Sequence, residues 1–126
     1  MFRRADENVS DGTSGTSSQL RIAPTTLRRL FGEPDNSDGY KVSGEYEFIN
    51  DEGHVFTVYD WKSTSLYDDC YPNPSDIWMS DKPFCFRVGS NHKGNVREFI
   101  QFIYDKEINV PFEKEILKTD TNYNNY

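Results

Sequence analysis

The sequence predicts an α+β fold: a small antiparallel sheet of three or four strands built around a central hairpin, with helices packed on one face. Three observations lead there. Two strand-like runs, YKVSGEYEFI and HVFTVYDWK, flank the tight-turn signal NDEG, the pattern of a hairpin. A third run, KPFCFRVG, alternates apolar and polar residues, as a half-buried strand does. Segments before and after these strands repeat apolar residues at i, i+3 and i+4, the spacing of one helix face. The order helix, strand, strand, strand, helix closes most compactly as a sheet with its helices on one side.

The first helix lies in APTTLRRLFGEP. Pro24 suits the first helical position, and Leu27, Leu30 and Phe31 make a narrow apolar stripe. Gly32 is a natural C′ residue, and Pro34 prevents continuation. Arg28 and Arg29 sit off the stripe, near the negative end of the helix dipole. DNSDG, residues 35–39, is a loop. In the next run Tyr40, Val42, Tyr46 and Phe48 share a face, and Lys41, Ser43, Glu45 and Glu47 share the other. After the turn, Phe56 and Val58 lie on one face and Val55, Thr57, Tyr59 and Trp61 on the other. A strand apolar on both faces is covered on both sides, so residues 55–61 are expected to be the middle strand.

STSLYDDCYPNPSD, residues 63–76, reads as a long loop, and DIWMSD as a single helical turn capped by Ser75. In the third strand Phe84, Phe86 and Val88 share a face. SNHKG connects it to a helix over residues 95–108, with Val96, Phe99, Ile100 and Ile103 as its stripe and Phe102 widening it. Asn95 is the expected N-cap, with Glu98 completing an approximate capping box. NVPFEKEIL reads as an added short strand or helix. The polar residues 1–19 and 117–126 lack an apolar period and are expected to be a disordered N-terminal tail and a flexible C-terminal tail. They bracket a single α+β domain over residues 20–116, of a size that folds alone.

The chain is polar, yet 15% of its residues are aromatic, so Phe and Tyr must carry a core in which Leu, Ile and Val are sparse. A formal net charge of −7 makes this an acidic protein and disfavours nonspecific nucleic-acid binding. MFRRADENVS has no apolar core of a secretory signal, and no run approaches the length of a membrane span. The expectation is an intracellular protein without membrane association, in which Cys70 and Cys85 are free thiols.

Chemistry is sparsely signalled. His54, His92, Cys70 and Cys85 have no metal-ligand spacing, and solvated loop histidines are the simpler reading. GSNHKG has the outline of a phosphate loop, but Asn95 and Val96 stand where such a loop needs Lys and Ser or Thr. What remains is a strand-to-helix loop, Gly89–Asn95. Its residues Ser90, Asn91, His92, Lys93 and Asn95 are candidates for holding an anion at a helix start. Ser90 and His92 are too close in sequence to suggest a catalytic pair, and the paired carboxylates sit where solvated charges sit. No cofactor and no catalytic residue is expected.

The stretch VFTVYDWKSTSLYDDCY places Asp60 at a strand end, on the face of Lys62, before a hydroxyl-rich loop. Asp60 is expected to orient that loop or to meet Lys62. Tyr67 and Tyr71 bracket Asp68 and Asp69, and Trp78 follows. Tyr and Trp make good interface anchors, so Tyr67, Asp68, Asp69, Tyr71 and Trp78 form a candidate interaction surface. The competing reading folds these rings back as a lid over the core. The lid suits Trp61 and Trp78, and interface use suits Tyr67 and Tyr71.

The words DGYKVSGEYEF and YDWKSTSLYD, with LFGEPD, FCFRVGSN and FIQFI around them, resemble small uncharacterised proteins of large double-stranded DNA viruses, marseillevirus-like ones in particular. The resemblance covers residues 30–103. It implies a viral accessory or virion protein in an infected host cell, and assigns no catalytic residues. The function expected from the sequence is therefore a non-enzymatic protein–protein interaction module with a host or viral protein partner. A homodimer is the other expected assembly, because a small sheet leaves edges that pair. The alternative is a binder of a small anionic ligand or nucleic acid through the Gly89–Asn95 loop, with Arg28, Arg29, Lys62, Lys93 and Arg97 as its local cations.

Overall fold

A computed structural model describes residues 1–5, 13–35, 39–92 and 95–121, with side chains as far as residue 108. Five antiparallel strands and three helices follow in the order β1 (Phe2–Arg4), β2 (Ser14–Ile22), α1 (Pro24–Phe31), β3 (Glu45–Asn50), β4 (Val55–Tyr59), α2 (Pro74–Trp78), β5 (Phe84–Ser90) and α3 (Val96–Thr121). The sheet order is β1-β3-β4-β5-β2. The α+β class holds, but the sheet has five strands rather than three or four.

The two additional strands come from the segment expected to be a tail. Composition misjudged it because its anchoring is non-local. Phe2 puts its ring 5.4 Å from Phe56 and 5.7 Å from Phe99. The Arg4 guanidinium donates to the Phe31 carbonyl at 2.6 Å and lies 4.7 Å from the Tyr46 ring centroid. It thereby serves an orphan carbonyl at the C-terminus of α1. β2 pairs with β5, with a register shift between Gly15 and Gln19. At the other end, α3 runs through Pro111 to Thr121, so residues 109–117 take the helical one of the two forms expected for them.

β4 is the middle strand, as its two apolar faces require. One face of the sheet carries Tyr46, Phe48, Phe56, Val58, Phe86, Val88, Leu20 and Ile22, all buried. The helices close over it: Phe99 of α3 stacks on Phe56 at 4.8 Å, Phe31 of α1 meets Phe48 at 4.9 Å, and Trp78 of α2 meets Phe86 at 5.4 Å. The α3 stripe is as expected, with Val96, Phe99 and Ile103 buried and Ile100 and Phe102 packed beside them. The core is built of rings meeting edge-on, tilted or stacked, and edge-to-face and offset-stacked pairs are the arrangements aromatic rings prefer.

The hairpin turns as NDEG predicts. Gly53 has φ +82, which glycine adopts without cost. Asn50 Oδ1 accepts from the backbone N–H groups of Glu52 and His54. Both hairpin strands are shorter than their patterns. β3 begins at Glu45, so Tyr40 does not reach the core and is 52% exposed. α1 matches in detail: Pro24 opens it and Gly32, at φ +87, ends it. α2 starts at Pro74 with Asn73 as N-cap, two residues ahead of the expected Ser75 cap. Among the described residues, no helix is long and apolar enough to cross a membrane.

Candidate functional site

The stretch VFTVYDWKSTSLYDDCY divides into three parts. Its first half is core. Its middle is a buried polar lock. Its second half is an exposed array of rings.

The lock is Asp60, fully buried where β4 ends. Its carboxylate accepts from the backbone N–H of Ser43 at 2.9 Å and of Gly44 at 3.0 Å, and from the Ser43 hydroxyl at 2.5 Å. The Ser43 oxygen in turn accepts from Trp78 Nε1 at 3.0 Å. Asp60 therefore meets Ser43 and Gly44, not Lys62. Burial raises its pKa above the usual carboxylate value, while the hydrogen bonds from Ser43 and Gly44 oppose the rise. Trp78 packs over Gly44 so closely that a Cβ there would come within 2.7 Å of its ring. At 7% exposure Trp78 belongs to the core, which removes it from the candidate interaction surface and matches the lid reading.

Beyond Asp60 the chain leaves the sheet. Lys62 has φ +53, the left-handed region, and its N–H donates to the Lys41 carbonyl at 2.6 Å. This contact turns the following loop outward. The loop is closed at its base: Ser65 N–H donates to the Pro72 carbonyl at 2.8 Å, and Ser65 Oγ donates to Asn73 Oδ1 at 3.0 Å. Buried Thr64 takes the N–H groups of Tyr67 and Asp68 on its carbonyl. Tyr71 N–H closes a second turn on the Asp68 carbonyl. Residues 66–71 are thus a tip on a fixed stem.

On that tip Tyr67 and Tyr71 lie 6.5 Å apart with nearly parallel rings, and Tyr40 meets Tyr67 at 5.4 Å. Trp61, 37% exposed, joins them through lysine: Lys62 Nζ sits 5.3 Å from both the Trp61 and the Tyr67 ring centroids, and Lys41 Nζ 5.8 Å from Trp61. These are cation–π distances. Tyr71 and Leu66 are each 42% exposed, and Asp68 and Asp69 are exposed beside them. The structure therefore gathers Tyr67, Asp68, Asp69 and Tyr71 from the predicted set and adds Tyr40, Lys41, Trp61, Lys62 and Leu66. The signal for the additions was the repeated aromatic–lysine pair, Tyr40-Lys41 and Trp61-Lys62, whose halves only the fold brings together.

The Gly89–Asn95 loop is differently disposed. Its His92 meets His54 of the hairpin turn: the two rings stack at 3.8 Å, 9° from parallel. Several of the loop's donors are engaged internally. Ser90 Oγ donates to the His92 carbonyl and accepts from the His92 N–H. Asn91 N–H donates to the Val55 carbonyl, while Asn91 Oδ1 accepts from Val55 N–H. Asn95 does not cap α3 through its side chain. Its buried Oδ1 has no hydrogen-bond partner, and an oxygen acceptor is the wrong group for an anion. Lys93 lies outside the described residues. No group of three or more metal-ligating side chains occurs among the described residues, and Cys70 and Cys85 are free.

Three surface clefts hold about 210, 270 and 240 Å³, below the ~300–1,000 Å³ usual for small-molecule sites. The first lies on the sheet face away from the helices, between Tyr59, Trp61 and the facing pair Gly15 and Gly89. No family model matches the chain, and no curated protein shows significant sequence similarity to it.

Proposed function

We propose that this chain is a non-enzymatic protein–protein interaction module that presents the Trp61–Tyr71 ring array to a protein partner. The observation that carries the reading is the exposure of Trp61 and Tyr71, with Tyr67 between them, on a loop tied down at its base. Rings with few rotatable bonds, held in place before binding, lose little entropy on association. The viral setting, an accessory or virion protein acting in an infected host cell, rests on the resemblance carried by DGYKVSGEYEF and YDWKSTSLYD.

A second reading, a binder of small anions or nucleic acid at Gly89–Asn95, draws support from the His54–His92 stack beside the start of α3. The two separate in one titration. The mass of the protein in solution is measured with short single-stranded DNA, RNA and mononucleotides at moderate salt. The interaction-module reading expects no change with any of them. A salt-dependent shift that disappears in His92→Ala would replace it with the second reading.

A further inference from the structure

We propose that the ring array pairs with the same array on a second copy of this chain, forming an isologous dimer. This names the partner for the surface described above and rests on that reading.

Lys41 and Lys62 have no carboxylate partner among the described residues; their ammonium groups rest on the Trp61 and Tyr67 rings instead. Asp68 and Asp69, on the same tip, have no cationic partner among the described residues. Among the described residues Asp68 accepts from Cys70, whose hydrogen bonds hold its pKa below the usual carboxylate value. One surface thus carries two unpaired cations and two unpaired anions, with Tyr67 at the boundary between them.

A surface that carries both signs beside exposed rings can be complementary to itself under two-fold rotation. In a two-fold interface each contact occurs twice, so the lysines of one copy meet the aspartates of the other while the tyrosines meet at the axis. A uniformly acidic or basic partner would satisfy one pair and repel the other. A nucleic acid would meet Asp68 and Asp69 as it approached the lysines. The nine residues named for the patch are fewer than the ~20–30 per side of a standard interface, so dissociation in the micromolar range is expected.

The test is a charge swap read by sedimentation equilibrium. The wild-type mass should rise with concentration from 14.7 kDa toward twice that value. Lys41→Glu with Lys62→Glu makes the patch wholly acidic, and Asp68→Lys with Asp69→Lys makes it wholly basic. Each double variant alone should raise the dissociation constant at least ~10-fold, about 1.4 kcal/mol. An equimolar mixture of the two should recover the dimer. Leu66→Asp, at an exposed position that leaves the stem intact, should also dissociate it and serves if a swap variant fails to fold.

A wild-type chain that remains a monomer at all concentrations overturns the inference. So does a dimer indifferent to both swaps, or a mixture that fails to recover. A foreign protein attached at the same tip, with the chain itself monomeric, would leave the interaction reading standing and only the self-pairing lost.

Discussion

Asp60 is the residue on which the geometry of the tip depends. Its carboxylate fixes Ser43 and Gly44, and through Ser43 it fixes Trp78. Asp60→Ala leaves two backbone N–H groups and a hydroxyl without their acceptor and should destabilise by roughly 2–4 kcal/mol in denaturant unfolding. Asp60→Asn keeps an oxygen for the two N–H groups and should cost far less. The two forms also differ with pH. Burial raises the folded-state pKa of Asp60 above the unfolded value. Its contribution is therefore fully present below the unfolded pKa and is lost as pH rises through the folded one. Relative to Asp60→Asn, the wild type should lose stability as pH rises from about 4 and then level off. Unfolding midpoints measured across that range check the sign, and a wild type that gains on the variant would contradict it. Gly44→Ala brings a Cβ to 2.7 Å from the Trp78 ring and should cost about 1–3 kcal/mol by overpacking.

At the scale of elements, β1 separates what sequence patterning can read from what it cannot. Phe2→Ala should cost about 1–3 kcal/mol in thermal or denaturant unfolding, less than a fully buried phenylalanine. A dispensable tail would give no effect. The hairpin, α1, the central position of β4 and the stripe of α3 were legible because each is written in local periodicity and turn chemistry. β1 and β2 were not, because FRR and SGTSSQLRI have little period of their own. They are strands because β3 and β5 offer them edges, and because Phe2 and Arg4 reach partners about 30 residues or more away. The early end of β3 has a similar cause. Tyr40 and Val42 continue its alternation, yet the Asp60 contacts at Ser43 and Gly44 bend the chain away. Trp78 likewise reads as an interface ring until its indole N–H is seen on Ser43.

For the whole molecule, the candidate site was half legible. Tyr67 and Tyr71, with the acids between them, stand together in sequence, and the structure leaves Tyr71 exposed with Tyr67 half-buried beside it. Lys41 and Lys62 lie 21 positions apart and meet only because the hairpin returns the chain to its starting end, so their shared place on Trp61 was hidden. The acidic balance of the chain also misdirects, since this patch carries two lysines with no carboxylate partner among the described residues. The proposed binding surface is the tip at residues 66–71. It is tested by photo-crosslinking from a reactive side chain at position 66, with position 98 on the exposed side of α3 as the control. Protein adducts are expected from position 66 and few or none from position 98, a self-adduct having twice the chain's mass. Equal yields from both positions, or adducts to nucleic acid alone, would contradict it.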